Sequence, residues 1–164
     1  MVIKPAKLKT LVNNTLSKLK KNRISDGAAT KKDILKLVNK MQKSMSAIKK
    51  LEKKNSLQMK KRFQRYKKEL DIKGKDLNMT EIFATLGKSD INEEVVRFDS
   101  QLGLVANLIK SKNNIGKKLD FYTQEMLREA NTMSSKALIS EIKNEAVDIK
   151  SSIERMKEHA QNIE

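Results

Sequence analysis

The 164-residue sequence is 38% hydrophobic and carries 36 Lys and Arg against 20 Asp and Glu, a net charge of +16. That length allows one domain with a core of its own. The absence of cysteine excludes disulfides and Cys-based zinc sites. No run nears the roughly 18 apolar residues of a membrane span. The start MVIKPAKLKT lacks an apolar signal core, so the expectation is a soluble, cytoplasmic protein with no membrane partner.

Five glycines, one proline and abundant Lys, Glu, Leu, Ile, Met and Ala point to an all-α chain. The charge is uneven: residues 1–76 hold 24 of the 36 cations and 6 of the 20 acids. A basic arm joined to a near-neutral module suits a polyanion, nucleic acid before membrane. The plainer alternative is lysine that only solvates helix faces.

In chain order, the first helix follows Pro5, a favoured opening residue, with Leu8, Leu11, Val12, Leu16 and Leu19 as its stripe. Ser25-Asp26-Gly27 reads as a turn or kink. From Thr30 the stripe runs Ile34, Val38, Met41, Met45, Ile48, slips at residues 53–56, then resumes at Met59, Phe63, Tyr66 and Leu70. The slip reads as a second kink or short loop with Ser56 as N-cap. These features predict a long basic helical hairpin. The turn-rich residues 71–78 divide the chain into a basic helical arm, 1–76, and a C-terminal unit, 77–164.

In that second unit Thr80 starts a short helix that Gly87 could end. Asp90 with Glu93 resembles a capping box and opens a helix striped by Ile91, Val95, Phe98, Leu102, Val105 and Ile109. Asn113-Asn114-Ile115-Gly116 turns the chain into residues 119–136, whose apolar side is Leu119, Tyr122, Met126, Ala130 and Met133, continued by Ala137. Beyond Ser140 a third stripe runs Ile142, Ala146, Ile149, Ile153, Met156, Ala160 and Ile163. Matched stripes and short loops predict an antiparallel helical bundle over 91–163.

The inventory narrows the chemistry. One histidine, His159, excludes a two-histidine mechanism and sits where a cation eases a helix dipole. No phosphate-loop or dinucleotide motif occurs. What remains is carboxylates on the helix 119–136. Its outer side carries Gln124, Arg128 and Asn131, flanked by Asp120, Glu125, Glu129 and Lys136, in a chain where 30 of 36 cations are lysine. Asp120, Glu125 and Glu129 at such spacing suit Mg²⁺ or Mn²⁺, completed by phosphate oxygens and water. Arg128 and Lys136 suit phosphate. The plainer reading pairs Glu125 with Arg128 and Glu129 with Lys136 or another helix. Arg97 reads as a surface partner of Glu93, Asp90 and Glu94 as capping or dipole-compensating residues, and Asn131 as a hydrogen-bonding link to a neighbouring helix.

Two blocks carry a family resemblance. GKKLDF with QEMLREANTMSSK, at residues 116–121 and 124–136, resembles the G-R-K-L-D-F-x-x-Q-E-x-x-R-E-x-N-T-x-x-S-K pattern of YicC/YloC-like bacterial proteins. KSDINEEVVRFDSQL, residues 88–102, is similar to their K-x-D-I-x-E-E-L-V-R-L-x-S-H-L. Arg23 with Asp26-Gly27-Ala28 is a looser third match. The resemblance implies a divalent-metal-dependent endoribonuclease that assembles as a homo-hexamer around RNA. It implies catalytic roles for Glu125, Glu129 and Arg128, and metal at Asp120, Glu125 and Glu129. RNA contacts would come from Arg97, Lys117, Lys118, Gln124, Asn131 and Lys136. The chain departs from the pattern at Gln101, where the family has His, and at Gly87, where an acid is common. The family's further N-terminal domain has no counterpart in these residues. A truncated enzyme, a non-catalytic RNA-binding or oligomerisation module, and a coiled-coil partner protein all stay open.

Overall fold

The computed structural model describes residues 5–72, 90–111 and 114–163, and all of its regular structure is helical. Helix α1 is Pro5–Ile72, α2 Asn92–Leu108, α3 Gly116–Lys136 and α4 Ser140–Gln161. The short helix expected between Thr80 and Gly87 lies outside the described residues, as does most of the turn expected over 71–78.

The expected hairpin is replaced by one continuous helix of 68 residues, about 100 Å long. Ser25, Asp26 and Gly27 do not turn it. Their poor helix propensity costs on the order of 1 kcal/mol, less than interrupting the helix and nucleating another. The slip at residues 53–56 is not a break either. Asn55 stands one heptad after Ile48, is buried, and its Oδ1 accepts the Leu138 N–H at 2.9 Å. A polar anchor interrupts the apolar pattern while the helix runs on, as a buried Asn does in a coiled-coil seam.

The helices form a four-membered ring: α1 touches α2 and α4, and α3 closes the ring between them. Cross-helix pairs fix the directions. Lys40 with Asp148 and Lys54 with Glu141 set α1 antiparallel to α4, and Lys136 with Glu94 sets α3 antiparallel to α2. The bundle expected over 91–163 is thus completed by the middle of α1.

The stripes meet in one core. Ile34, Val38, Met41, Met45 and Ile48 of α1 join Val95, Phe98, Leu102 and Val105 of α2, Leu119, Met126, Ala130 and Met133 of α3, and Ile142, Ile149, Ile153 and Met156 of α4. All are buried, which stabilises by about 1.5–3 kcal/mol per large side chain. Helices α2 to α4 have 17 to 22 residues, so α1 outruns them at both ends. Leu8, Leu11, Val12, Leu16 and Leu19 are correspondingly exposed.

Gly116 opens α3 where it meets the end of α4. A Cβ there would run into the Ile163 carbonyl oxygen and come 3.1 Å from that of Ala160. Only glycine lets the two backbones approach so closely.

Candidate functional site

The seam between α2 and α3 collects the polar groups. On α2, Glu94, Arg97 and Gln101 follow one another at helical spacing beside the apolar stripe. Antiparallel α3 brings Lys136 level with Glu94 and Glu129 level with Arg97. The same register, continued one turn, sets Gln101 level with Glu125.

Glu94 is 7% exposed; Lys136 Nζ donates to its Oε1 at 2.8 Å, while its Oε2 is buried without a hydrogen-bond partner. The expectation that Glu94 serves the α2 dipole captures only its place in the first turn. Its side chain turns inward to Lys136, 42 residues further on. Asp90 lies just outside α2, and its Oδ1 accepts the Asn92 N–H at 2.9 Å, which keeps its capping role one residue early.

Arg97 pairs with Glu93 on its own helix, as expected, and its Nη1 also lies 3.9 Å from Glu129 Oε1. The Arg97 side chain is 58% exposed and the Glu129 side chain 8%. Arg97 therefore presents N–H donors to the surface above a carboxylate held inside. Burial pushes the Glu129 carboxyl above its ordinary value, Glu94 and Glu125 add to the rise, and Arg97 and Arg128 oppose it.

The remaining sequence-predicted residues scatter around this row. Glu125 is half-buried, Arg128 and Asn131 are exposed, and none has a side-chain hydrogen bond or ion pair among the described residues. The Glu125–Arg128 pair is not formed, and Asn131 makes no link to a neighbouring helix. Gln124 is exposed, and its Nε2 donates to Asp120 Oδ2 at 2.8 Å. Lys117 and Lys118 are exposed in the first turn of α3. His159 is in the last turn of α4.

Among the described residues, no group of three or more carboxylates and histidines is gathered so as to hold a metal ion. Asp120 Oδ2 accepts from Gln124, and Asp120, Glu125 and Glu129 are spread along α3 without being gathered into one ligand set in this structure. Two groups went unrecognised as parts of the site. Glu94 and Gln101 lie seven residues apart on one line of α2, and the Oε1 of Gln101 is buried without a partner. Their position flanking the apolar stripe was the available signal. Buried polar atoms left unpaired are uncommon in folded proteins and mark places where a donor is wanted.

Residues 41–164 match the model of the family described as endoribonuclease YicC-like, C-terminal. A protein of Clostridioides difficile (strain 630) named probable endoribonuclease YicC is 48% identical over 77 residues, 47% of this chain and 26% of that protein. A namesake from Haemophilus influenzae is 40% identical over 75 residues, 46% of this chain and 26% of its own length. The chain spans about a quarter of the length of these curated relatives. On the strength of the family match, which takes in α2, α3, α4 and the part of α1 from residue 41 on, the chain belongs to the YicC-like endoribonuclease family.

Proposed function

We propose that the chain cuts RNA at the α2–α3 seam. The observation that carries this reading is the layered geometry there: exposed Arg97 above buried Glu129, with unpaired Arg128 and Glu125 alongside. The relatives' shared name supports RNA as the substrate.

In this reading Arg97 and Arg128 hold the scissile phosphate, since a guanidinium fork matches its oxygens and steadies charge as the bond breaks. Glu129 fixes Arg97 from below. Glu125, half-buried and unpartnered, takes a proton from the water that attacks phosphorus, the P–O bond to the leaving ribose oxygen breaks, and that oxygen is protonated from solvent. Two carboxylates one turn apart also suit a hard divalent ion shared with phosphate oxygens, which would supply Lewis-acid chemistry when bound. Gln124, Asn131, Lys117 and Lys118 contact backbone along α3, contacts that carry no sequence information. Assembly into a homo-hexamer belongs to the same proposal.

The test is incubation of the chain with labelled structured RNA, with Mn²⁺, Mg²⁺ or EDTA. Discrete products that disappear in a Glu125→Gln/Glu129→Gln double variant support the site; equal cutting by that variant overturns it. A second reading is RNA binding without cutting. Gln101, standing where the family pattern has His with its Oε1 unpartnered, favours it. Retention of RNA with no product would select it.

A further inference from the structure

Helix α1 uses its cations in two ways. Where it crosses the bundle, four of its lysines are answered, Lys36 by Asp33 on α1 itself, Lys40 by Asp148, Lys49 by Asp99 and Lys54 by Glu141, at 2.9–3.2 Å, whereas Lys43, Lys50 and Lys53 stand singly between them. Further along, Lys61, Arg62, Arg65 and Lys68 have no acidic partner among the described residues. They recur at i, i+1, i+4 and i+7, on one side of the helix. Like charges one turn apart destabilise a helix by a few tenths of a kcal/mol each, so helix stability does not select them. Two of the chain's six arginines are among these four residues.

This side of α1 is also shaped. Lys61, Arg62 and Arg65 line a cleft of about 520 Å³ with Gln58 and with Leu138 from the α3–α4 connection. Lys68 extends it into an adjoining hollow with Lys61, Gln64 and Arg65. The far wall is fixed, because the Leu138 N–H is held by buried Asn55. Leu138 lies two residues beyond Lys136, so the cleft adjoins the Lys136 end of the α2–α3 polar row. Tyr66, exposed one turn past Arg62, offers a ring on which a base can stack.

We propose that this cleft is the track along which single-stranded RNA backbone enters. Lys61, Arg62, Arg65 and Lys68 hold successive phosphates, Tyr66 stacks a base, and the strand is directed toward Lys136. The proposal rests on the RNA reading above and narrows it from a generally basic arm to one built surface.

The test measures binding of a labelled single-stranded oligoribonucleotide across a salt series. It compares the parent chain, the variant K61Q/R62Q/R65Q/K68Q, and a control K7Q/K9Q/K18Q/K21Q that removes four exposed charges from the other end of α1. Circular dichroism checks that both variants keep their helix. Each phosphate contact contributes about 0.7 to the log–log salt slope, hence about fivefold in affinity near 0.1 M salt. The cleft variant is expected to bind on the order of 100-fold more weakly, with a slope smaller by about 2 to 3. The control should change affinity less than about fivefold. Tyr66→Ala should weaken binding about tenfold without altering the slope. Equal losses in the two quadruple variants would overturn the cleft in favour of diffuse attraction and leave the RNA reading standing. A parent chain that neither binds nor cuts RNA would overturn both.

Discussion

Glu129 is a carboxylate placed where its charge is disfavoured, and that placement has a measurable sign. Its folded-state value lies above the ordinary 4.5, burial being the largest cause. The folded protein therefore binds this proton more tightly than the unfolded chain does. Stability attributable to Glu129 is greatest below 4.5 and is lost as pH rises through the raised value. In Glu129→Gln that dependence disappears, so denaturant midpoints of variant and parent should converge toward low pH, with the variant gaining relative to the parent as pH rises. Arg97→Met removes the main opposing charge and should push the Glu129 value further up, read by carboxylate titration in NMR.

The Lys136–Glu94 pair tests a different residue-scale point. Lys136→Met strips Glu94 of its cross-helix partner while leaving the charge buried, a loss of about 3 kcal/mol by denaturant unfolding. The double variant Glu94→Leu/Lys136→Met should recover most of that loss, because no unpaired charge remains. These two partners could not be matched from sequence, since rules for helix neighbours reach only four residues. Arg97 with Glu93, at i and i+4, was legible for that very reason.

At the scale of elements, the three long stripes of α2, α3 and α4 were legible because a buried helix face imposes a strict repeat. The course of α1 was not. Ser25-Asp26-Gly27 has turn composition, and Asn55 breaks the apolar pattern, yet neither interrupts the hydrogen-bond ladder. Asn55 was misread because its partner, the Leu138 N–H, lies 83 residues away. Asn55→Leu should cost about 1–3 kcal/mol, since it leaves a connection N–H without its acceptor. Gly116→Ala should also destabilise, because the added methyl meets backbone rather than a movable side chain. Thermal unfolding of both variants checks these expectations, and Leu16→Ala, on the exposed end of α1, should stay within about 0.5 kcal/mol of the parent.

At the scale of the whole molecule, four helices make a ring in which one member extends about 100 Å, and the polar groups divide between two of its surfaces. The α2–α3 seam holds Glu94, Glu129 and Arg97; the far part of α1 holds Lys61, Arg62, Arg65 and Lys68, which have no acidic partner among the described residues. The uneven charge was visible in composition. What composition could not separate was lysine committed to ion pairs across the bundle from lysine and arginine left open toward the α3–α4 connection. That distinction arises only when Leu138 is folded against α1. Among the described residues no helix is long and apolar enough to cross a membrane.

The account turns on the seam being a place where RNA is cut. The most direct measurement compares Glu125→Gln and Glu129→Gln with the parent chain in single-turnover cleavage of one labelled RNA, each held above its own dissociation constant. Cleavage reduced by two orders of magnitude or more in Glu125→Gln, with RNA affinity kept within a few-fold, is the predicted result. Parent-level cleavage in both variants would contradict it.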